Sequence, residues 1–406
     1  MDREFNRTTI IDTVFFIMLA MYFTVPEHPV LYLVANGFTG VFCLLVLLDR
    51  MGDFTLPFAA LLYGLFALMC FFSYFYSVDP QSSLTRIVSV FILFFLLCAG
   101  VNYFSQKENL QKFIVIYVSC ALLSCGYALL CENIFAGKAV GGSISNTNQV
   151  GTWLAFGVVF MVFTLLNEFR WWKLLPTAVL VIFVVLTASR SSALIMIIST
   201  AMLIALTFRV RKRSVGAALL IIAVLLLVFS YLIFNVELLY QVIGQRIEDV
   251  LLLFRTGEGD SSSEKRISLI QYGWSLFCEH PVFGRGISTF YAYSKQGVGF
   301  LAYSHNNYLE LLVGVGAAGL LLYYALPVRA TAYSMKLMAG DGKMSAIGAL
   351  CFSLMTGVFI SDFFSVNYYS KTVILIFIFI ASAYSRYADV QQKDSNSSCN
   401  SIVQRV

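Results

Sequence analysis

Long apolar runs separated by short polar breaks fill most of this 406-residue chain. About twelve of them lie near 9–25, 29–48, 54–76, 85–104, 110–133, 149–167, 174–189, 191–208, 215–234, 306–327, 344–361 and 371–385. Most approach the roughly 20 residues that an α-helix needs to cross a bilayer. None shows the two-residue alternation of a barrel strand, and backbone in hydrocarbon must satisfy its own hydrogen bonds. The pattern predicts an all-α polytopic integral membrane protein. Nine spans fill 1–234, one large loop occupies 235–305, and three spans fill 306–385. A polar tail over 386–406, rich in Ser and Asn towards its end, is expected to be disordered. The first apolar run is followed by Val25-Pro26-Glu27-His28 rather than by a small-residue cleavage site, so it reads as a retained span.

Inside the large loop the period changes. Leu238, Leu239, Val242, Ile243, Ile247, Val250, Leu251 and Phe254 recur at helical spacing and predict an amphipathic helix from Glu237 to Phe254, lying on the membrane surface. Thr256-Gly-Glu-Gly-Asp260 breaks it, and Ser261-Ser-Ser-Glu264 reads as a capping box for a second helix. That helix carries Ile267, Ile270, Trp274 and Phe277 on one face and ends in the turn His280-Pro-Val-Phe-Gly-Arg-Gly286.

Composition supports the membrane reading. Charged residues make up 12% of the chain and hydrophobic ones 59%, with mean hydropathy +0.81; soluble domains carry about 25% charged residues. The placement of Lys and Arg gives the orientation. Most fall in the segments that alternate with the N-terminus, among them Arg3, Arg7, Arg50, Lys173 and the run Arg209-Val-Arg-Lys-Arg213, which reads as a topology anchor. The opposite short loops hold only Arg86, Lys138, Arg190 and Lys371. Both termini are therefore expected in the cytoplasm and the large loop outside. Cysteines such as Cys43, Cys70, Cys98, Cys120, Cys125 and Cys351 sit within apolar runs, and no Cys/His cluster suggests a metal.

The candidate chemistry lies on the outer side. Gly141-Gly-Ser-Ile-Ser-Asn-Thr-Asn-Gln149 reads as a turn, with sugar-hydroxyl binding as the alternative. Arg190 stands at a span boundary, where a snorkelling or helix-capping role competes with anion binding. Arg266 opens a helix whose dipole disfavours a cation there, which calls for an anionic partner. Arg285 and His280 read as parts of a turn. His305 precedes the tenth span, and Glu310, five residues on, lies off its helix face and reads as structural.

Three features together resemble the bacterial O-antigen ligase and Wzy-type polysaccharide polymerase superfamily, over roughly 187–325. They are Ala188-Ser189-Arg190-Ser191; Arg266 with Trp274 and Glu279-His-Pro-Val-Phe-Gly-Arg-Gly286; and His305-Asn306 followed by Gly316-Ala-Ala-Gly319. The resemblance implies an enzyme of the bacterial inner membrane that takes a glycan from undecaprenyl diphosphate. It passes the glycan to a hydroxyl on another lipid-linked repeat unit, or on lipid A–core. The implied roles are catalysis at His305 and diphosphate binding at Arg190 and Arg266, with no metal, nucleotide cofactor or nucleic-acid partner. Arg supplies a planar, permanently charged fork for phosphate oxygens, and His titrates near working pH. Two further classes compete: a transporter of lipid-linked sugar, disfavoured because the charges lie at span ends rather than mid-membrane, and a ligase acting on protein hydroxyls.

Overall fold

The computed structural model describes residues 2–24, 29–106, 109–133, 138–245, 247–248, 261–340 and 342–403. Among these residues it is all-helical, without strands. The helices are α1 (Asp2–Thr24), α2 (Pro29–Asp49), α3 (Phe58–Ser73), α4 (Pro80–Phe104), α5 (Asn109–Cys131), α6 (Thr147–Asn167), α7 (Leu174–Leu186), α8 (Arg190–Val210) and α9 (Val215–Asn235). There follow α10 (Ser261–Glu279), α11 (Phe290–Val298), α12 (Asn307–Met338), α13 (Lys343–Asp362) and α14 (Lys371–Val403). The last helix runs on through the polar segment expected to be a disordered tail. Of the amphipathic helix expected over 237–254, a turn of helix and a π-type turn, Tyr240–Gly244, are described. Most of its remainder, and the 256–260 break, lie outside the described residues.

Eleven of the described helices are long and apolar enough to cross a membrane. The run expected near 174–189 forms α7, a shorter element entered through a tight turn at Trp171–Lys173. It still traverses the bundle. At its start the Lys173 ammonium donates to the Thr164 carbonyl of α6 (3.3 Å). At its end the Leu186 carbonyl accepts from Val140 N–H (2.8 Å), and Thr187 abuts Gly151 of α6. Thr164 and Gly151 are ~20 Å apart along a helix rising 1.5 Å per residue, so α7 covers that depth. Arg211 at the end of α8 donates to the Leu166 carbonyl (2.6 Å), which places the basic 209–213 run at the Lys173 end. Arg190, Asn146 and His305 lie at the opposite end. The two classes of basic residue separated in the sequence are thus also separated in space.

The core is aromatic. Phe15, Phe42, Phe104, Phe113, Tyr117, Phe160 and Phe379 interlock across six helices at centroid distances of 4.8–6.2 Å. Such tilted and edge-on pairs match the quadrupoles of the rings.

The tenth span departs from the expected 306–327 helix. Asn307 Nδ2 donates to the Tyr324 hydroxyl (3.2 Å), and the rings of Tyr308 and Tyr324 stack at 4.9 Å. In a straight helix residues 17 apart lie ~25 Å apart. The chain instead reverses at Gly316, with φ 66° and ψ −169°, a region essentially reserved for glycine. The 280–286 turn fills the break. Arg285 and Gly286 N–H donate to the Val313 and Gly314 carbonyls (2.9 and 2.8 Å). Ala317 and Ala318 N–H donate to the Pro281 and Val282 carbonyls (2.9 and 3.1 Å). The groups orphaned by the break are thereby satisfied. Only the half after Gly316 continues through the bundle.

A Cβ at Gly316 would lie 2.3 Å from the Val282 carbonyl oxygen, whereas one at Gly299 (φ 83°) meets nothing within 4 Å. Gly316→Ala should therefore destabilise the detergent-solubilised protein by more than the ~1–3 kcal/mol of backbone strain alone. Gly299→Ala should cost about 1 kcal/mol. Comparable melting temperatures for the two variants would contradict the role assigned to the break.

Candidate active site

Two helix starts carry the candidate residues, and both are built alike. Ala188 takes a left-handed φ of 53°, Ser189 caps α8 by accepting from Ser192 N–H (3.2 Å), and Arg190 is the first helical residue. His305 takes a left-handed φ of 54°, and Asn306 caps α12 by accepting from Leu309 N–H (3.0 Å). A positive φ is uncommon outside glycine and persists where the surroundings enforce it. Around His305 they do. Buried Glu310 accepts from Ser304 N–H (3.1 Å), and the Ser304 hydroxyl donates to the Asn306 carbonyl (2.8 Å). Glu310 is thus part of the scaffold, in line with its structural reading.

Asn307 then locks this start to the far end of the chain. Its carboxamide oxygen accepts from both Asn367 and Tyr368 N–H (2.8 and 2.9 Å). Asp362 accepts from the Tyr324 hydroxyl (2.7 Å) and from Asn367 Nδ2 (2.8 Å), closing a buried network.

α10 brings Arg266 to this place. Its inner face, Leu269, Gly273 and Leu276, packs against Phe290, Leu309 and Val313. Of the predicted face, Ile267, Ile270 and Trp274 are turned outward, with Trp274 57% exposed, while Phe277 packs against the inner cluster. Arg266 lies close enough to His305 to act on its titration. Burial, and then the guanidinium, push the imidazole down from 6.5 to about 4. The ring is therefore neutral near pH 7, and its buried Nδ1 has no hydrogen-bond partner among the described residues. Arg190 connects less directly. Ser192, two residues on, donates to the Asn148 carbonyl (3.2 Å), and neighbouring Asn146 Nδ2 donates to the Tyr303 hydroxyl (3.2 Å). The Tyr303 ring lies 4.0 Å from that of His305. His280 is exposed. Arg285 pairs with Glu279 and donates to the Tyr293 hydroxyl (3.1 Å), consistent with a turn role.

Behind Tyr303 opens a cavity of about 410 Å³, walled by Tyr22, Tyr32, Arg86, Asn146, Trp153 and Lys371 among others. Arg190, Arg266 and His305 do not line it; Tyr303 stands between. The expected 141–149 turn runs only to Asn146, the cap of α6, with Glu132 accepting from Gly141 and Ser143 N–H (both 2.8 Å). The segment also faces this cavity through Asn146, Asn148 and Gln149. Arg86 and Lys371 carried no candidate role in the sequence. Their signal was isolation, as cations on the side that otherwise has few. Among the described residues no group of three or more His, Cys, Asp or Glu side chains is placed to hold a metal ion.

A family comparison bears directly on this end of the molecule. Residues 175–324 match the family model described as O-antigen ligase, Wzy_C. The match spans α7 to the first turns beyond Gly316, and so contains Arg190, Arg266 and His305. No curated protein matches the chain. The apolar helices and this match indicate a bacterial membrane protein, similar over the matched residues to membrane glycosyltransferase-like enzymes.

Arg266→Gln removes a positive neighbour and leaves burial in place. The His305 titration should rise from about 4 but stop short of the ordinary 6.5. Histidine-selective NMR of the full chain, with His305→Ala to assign the signal, measures it. An unchanged or lower value would contradict the electrostatic contact.

Proposed function

We propose that the protein is a polysaccharide repeat-unit polymerase. It transfers a glycan from undecaprenyl diphosphate to a hydroxyl of another lipid-linked repeat unit, at the outer face of the bacterial inner membrane. The observation that carries this reading is the Arg266–His305 pair, held at one end of the bundle beside a cavity and inside the matched family segment. The acceptor hydroxyl attacks the anomeric carbon and gives its proton to His305. A new glycosidic bond forms as the bond from anomeric carbon to phosphate oxygen breaks. The undecaprenyl diphosphate leaves with the electron pair, and its charge is met by Arg190 and Arg266. Preorganised charge of this kind is commonly the largest catalytic contribution.

The low titration of His305 fits this sequence of events. A base at about 4 is weak, but a diphosphate arriving at Arg266 offsets the guanidinium field and strengthens it. The base is then strongest when donor is bound. The description of the matched family supports a second acceptor, lipid A–core; the chemistry at His305 is the same.

Purified protein given lipid-linked repeat units should build a ladder of longer carrier-linked chains. Transfer onto lipid A–core alone would replace polymerase by ligase. His305→Ala should reduce transfer by about 10²–10⁴-fold, the range for loss of a general base, while carrier-linked units still reach the outer face. Their absence from that face would overturn the enzymatic reading in favour of transport.

A further inference from the structure

The cavity behind Tyr303 has no part in the reaction as written above. The geometry points to it as the subsite for the acceptor glycan, and to Arg86 and Lys371 as the pair that engages an anionic group, carboxylate or phosphate, on that glycan. This rests on the proposed glycan transfer.

Its volume of about 410 Å³ suits a small oligosaccharide segment and falls within the roughly 300–1,000 Å³ of ligand sites. Its walls combine the aromatic side chains of Tyr22, Tyr32 and Trp153 with the carboxamides of Asn146, Asn148 and Gln149. A sugar has an apolar C–H face and hydroxyl edges, and such walls match both. Carboxamides both donate and accept, as hydroxyls require.

The two cations are what a neutral sugar does not explain. Arg86 lies over the Tyr369 ring at 3.4 Å, with Nε buried and unbonded among the described residues. Lys371 lies over Tyr22 at 3.4 Å and Tyr32 at 4.0 Å. Neither has a carboxylate at ion-pair distance among the described residues. Glu310 acts on Arg86 electrostatically, but its carboxylate is engaged by Ser304 N–H. Lys371 is also the first residue of α14, where the helix dipole disfavours a cation. Ring faces stabilise a cation without neutralising it. The cavity therefore keeps positive potential that an entering anion would satisfy, together with the N–H groups at the start of α14.

Position completes the case. Tyr303 is both a wall of the cavity and the ring against His305. A sugar held there presents its hydroxyl towards the imidazole. Arg190 and Arg266 lie outside the lining, so donor diphosphate and acceptor anion meet different cations.

The test uses full-length protein and lipid-linked glycans, with a donor blocked at its acceptor hydroxyl and an acceptor joined to its lipid by a non-cleavable link, so that the two concentrations are varied separately. Arg86→Gln and Lys371→Gln should each raise the acceptor KM at least tenfold, with donor KM and kcat within twofold. Arg86→Lys and Lys371→Arg should recover most of the affinity. Carboxyl reduction of the acceptor, or phosphatase treatment, should reproduce the KM increase in the wild type and add nothing in the Gln variants. Whichever treatment does so identifies the anion. A rise in donor KM instead, or insensitivity to both treatments, would overturn the assignment while transfer itself still ran. Absence of any transfer by the wild type would overturn the proposed function instead. Melting temperatures of the four variants separate lost affinity from lost folding; equal loss of KM in charge-retaining and neutral variants would also count against it.

Discussion

The reversal at Gly316 is the constraint on which the rest of this end of the molecule depends. A helix broken inside a membrane protein leaves carbonyl and N–H groups that hydrocarbon cannot satisfy. Here the 280–286 turn supplies the missing partners on both sides of the break. The turn is held in its own right: the Tyr76 hydroxyl donates to the Phe283 carbonyl (2.8 Å), and Ser83 donates to the Ile287 carbonyl (2.6 Å). The loop is thus joined to the bundle, and α10, which ends in this turn, inherits its position. Reversal brings Asn307 back to Tyr324 and the 367–368 backbone, and so sets His305 where Arg266 can reach it. Two distant loop residues come together because one backbone bend requires both segments.

Positive charge in this fold is held both by carboxylates and by ring faces. At one end Lys112 pairs with Asp12 at 2.7 Å and Arg170 with Glu168. At the other, Arg86 and Lys371 rest on aromatic rings. A desolvated cation without a counterion is costly, and a ring face returns only ~0.5–2 kcal/mol. Such an arrangement favours any anion that can enter. His305 is governed separately: burial, and then Arg266, keep its imidazole neutral.

Much of this was legible in the sequence. Hydropathy located the spans because each helix must satisfy its own backbone, whatever its neighbours are. The α7 run was correctly placed, though shorter than the others. Arg266 and His305 stood out as ionisable groups in the large loop. Gly316 was noted only within the Gly316-Ala-Ala-Gly319 motif and the reversal there was not foreseen, because 309–327 is apolar on both sides of it and a window average carries no dihedral angle. Arg86 and Lys371 were visible only as sparse outer charges. Their setting is made by Tyr22, Tyr32 and Tyr369, which are far apart in the chain and adjacent only after packing. In α10 the period grouped Ile267, Ile270, Trp274 and Phe277, of which the first three share an exposed face and Phe277 packs inward. It did not show that Leu269, Gly273 and Leu276 would be the face that packs, since a helical period defines faces but not which one is covered.

That outward face has a consequence for the proposed reaction. Ile267, Ile270 and Trp274 are about half exposed on the same helix that carries Arg266. An amphipathic helix with a Trp on its free apolar side is suited to the boundary between headgroups and hydrocarbon. The diphosphate of a polyprenyl carrier sits at that boundary, with its tail below and its glycan above. If α10 lies there, Arg266 meets the phosphates at their own depth, and neither the lipid nor the loop must leave the interface. The donor then approaches laterally along α10, while the cavity walled by α1, α2, α4 and α14 receives the acceptor from a different side. Separate approaches to one imidazole let two large lipid-linked substrates be bound at once, which a single cleft would prevent by steric overlap.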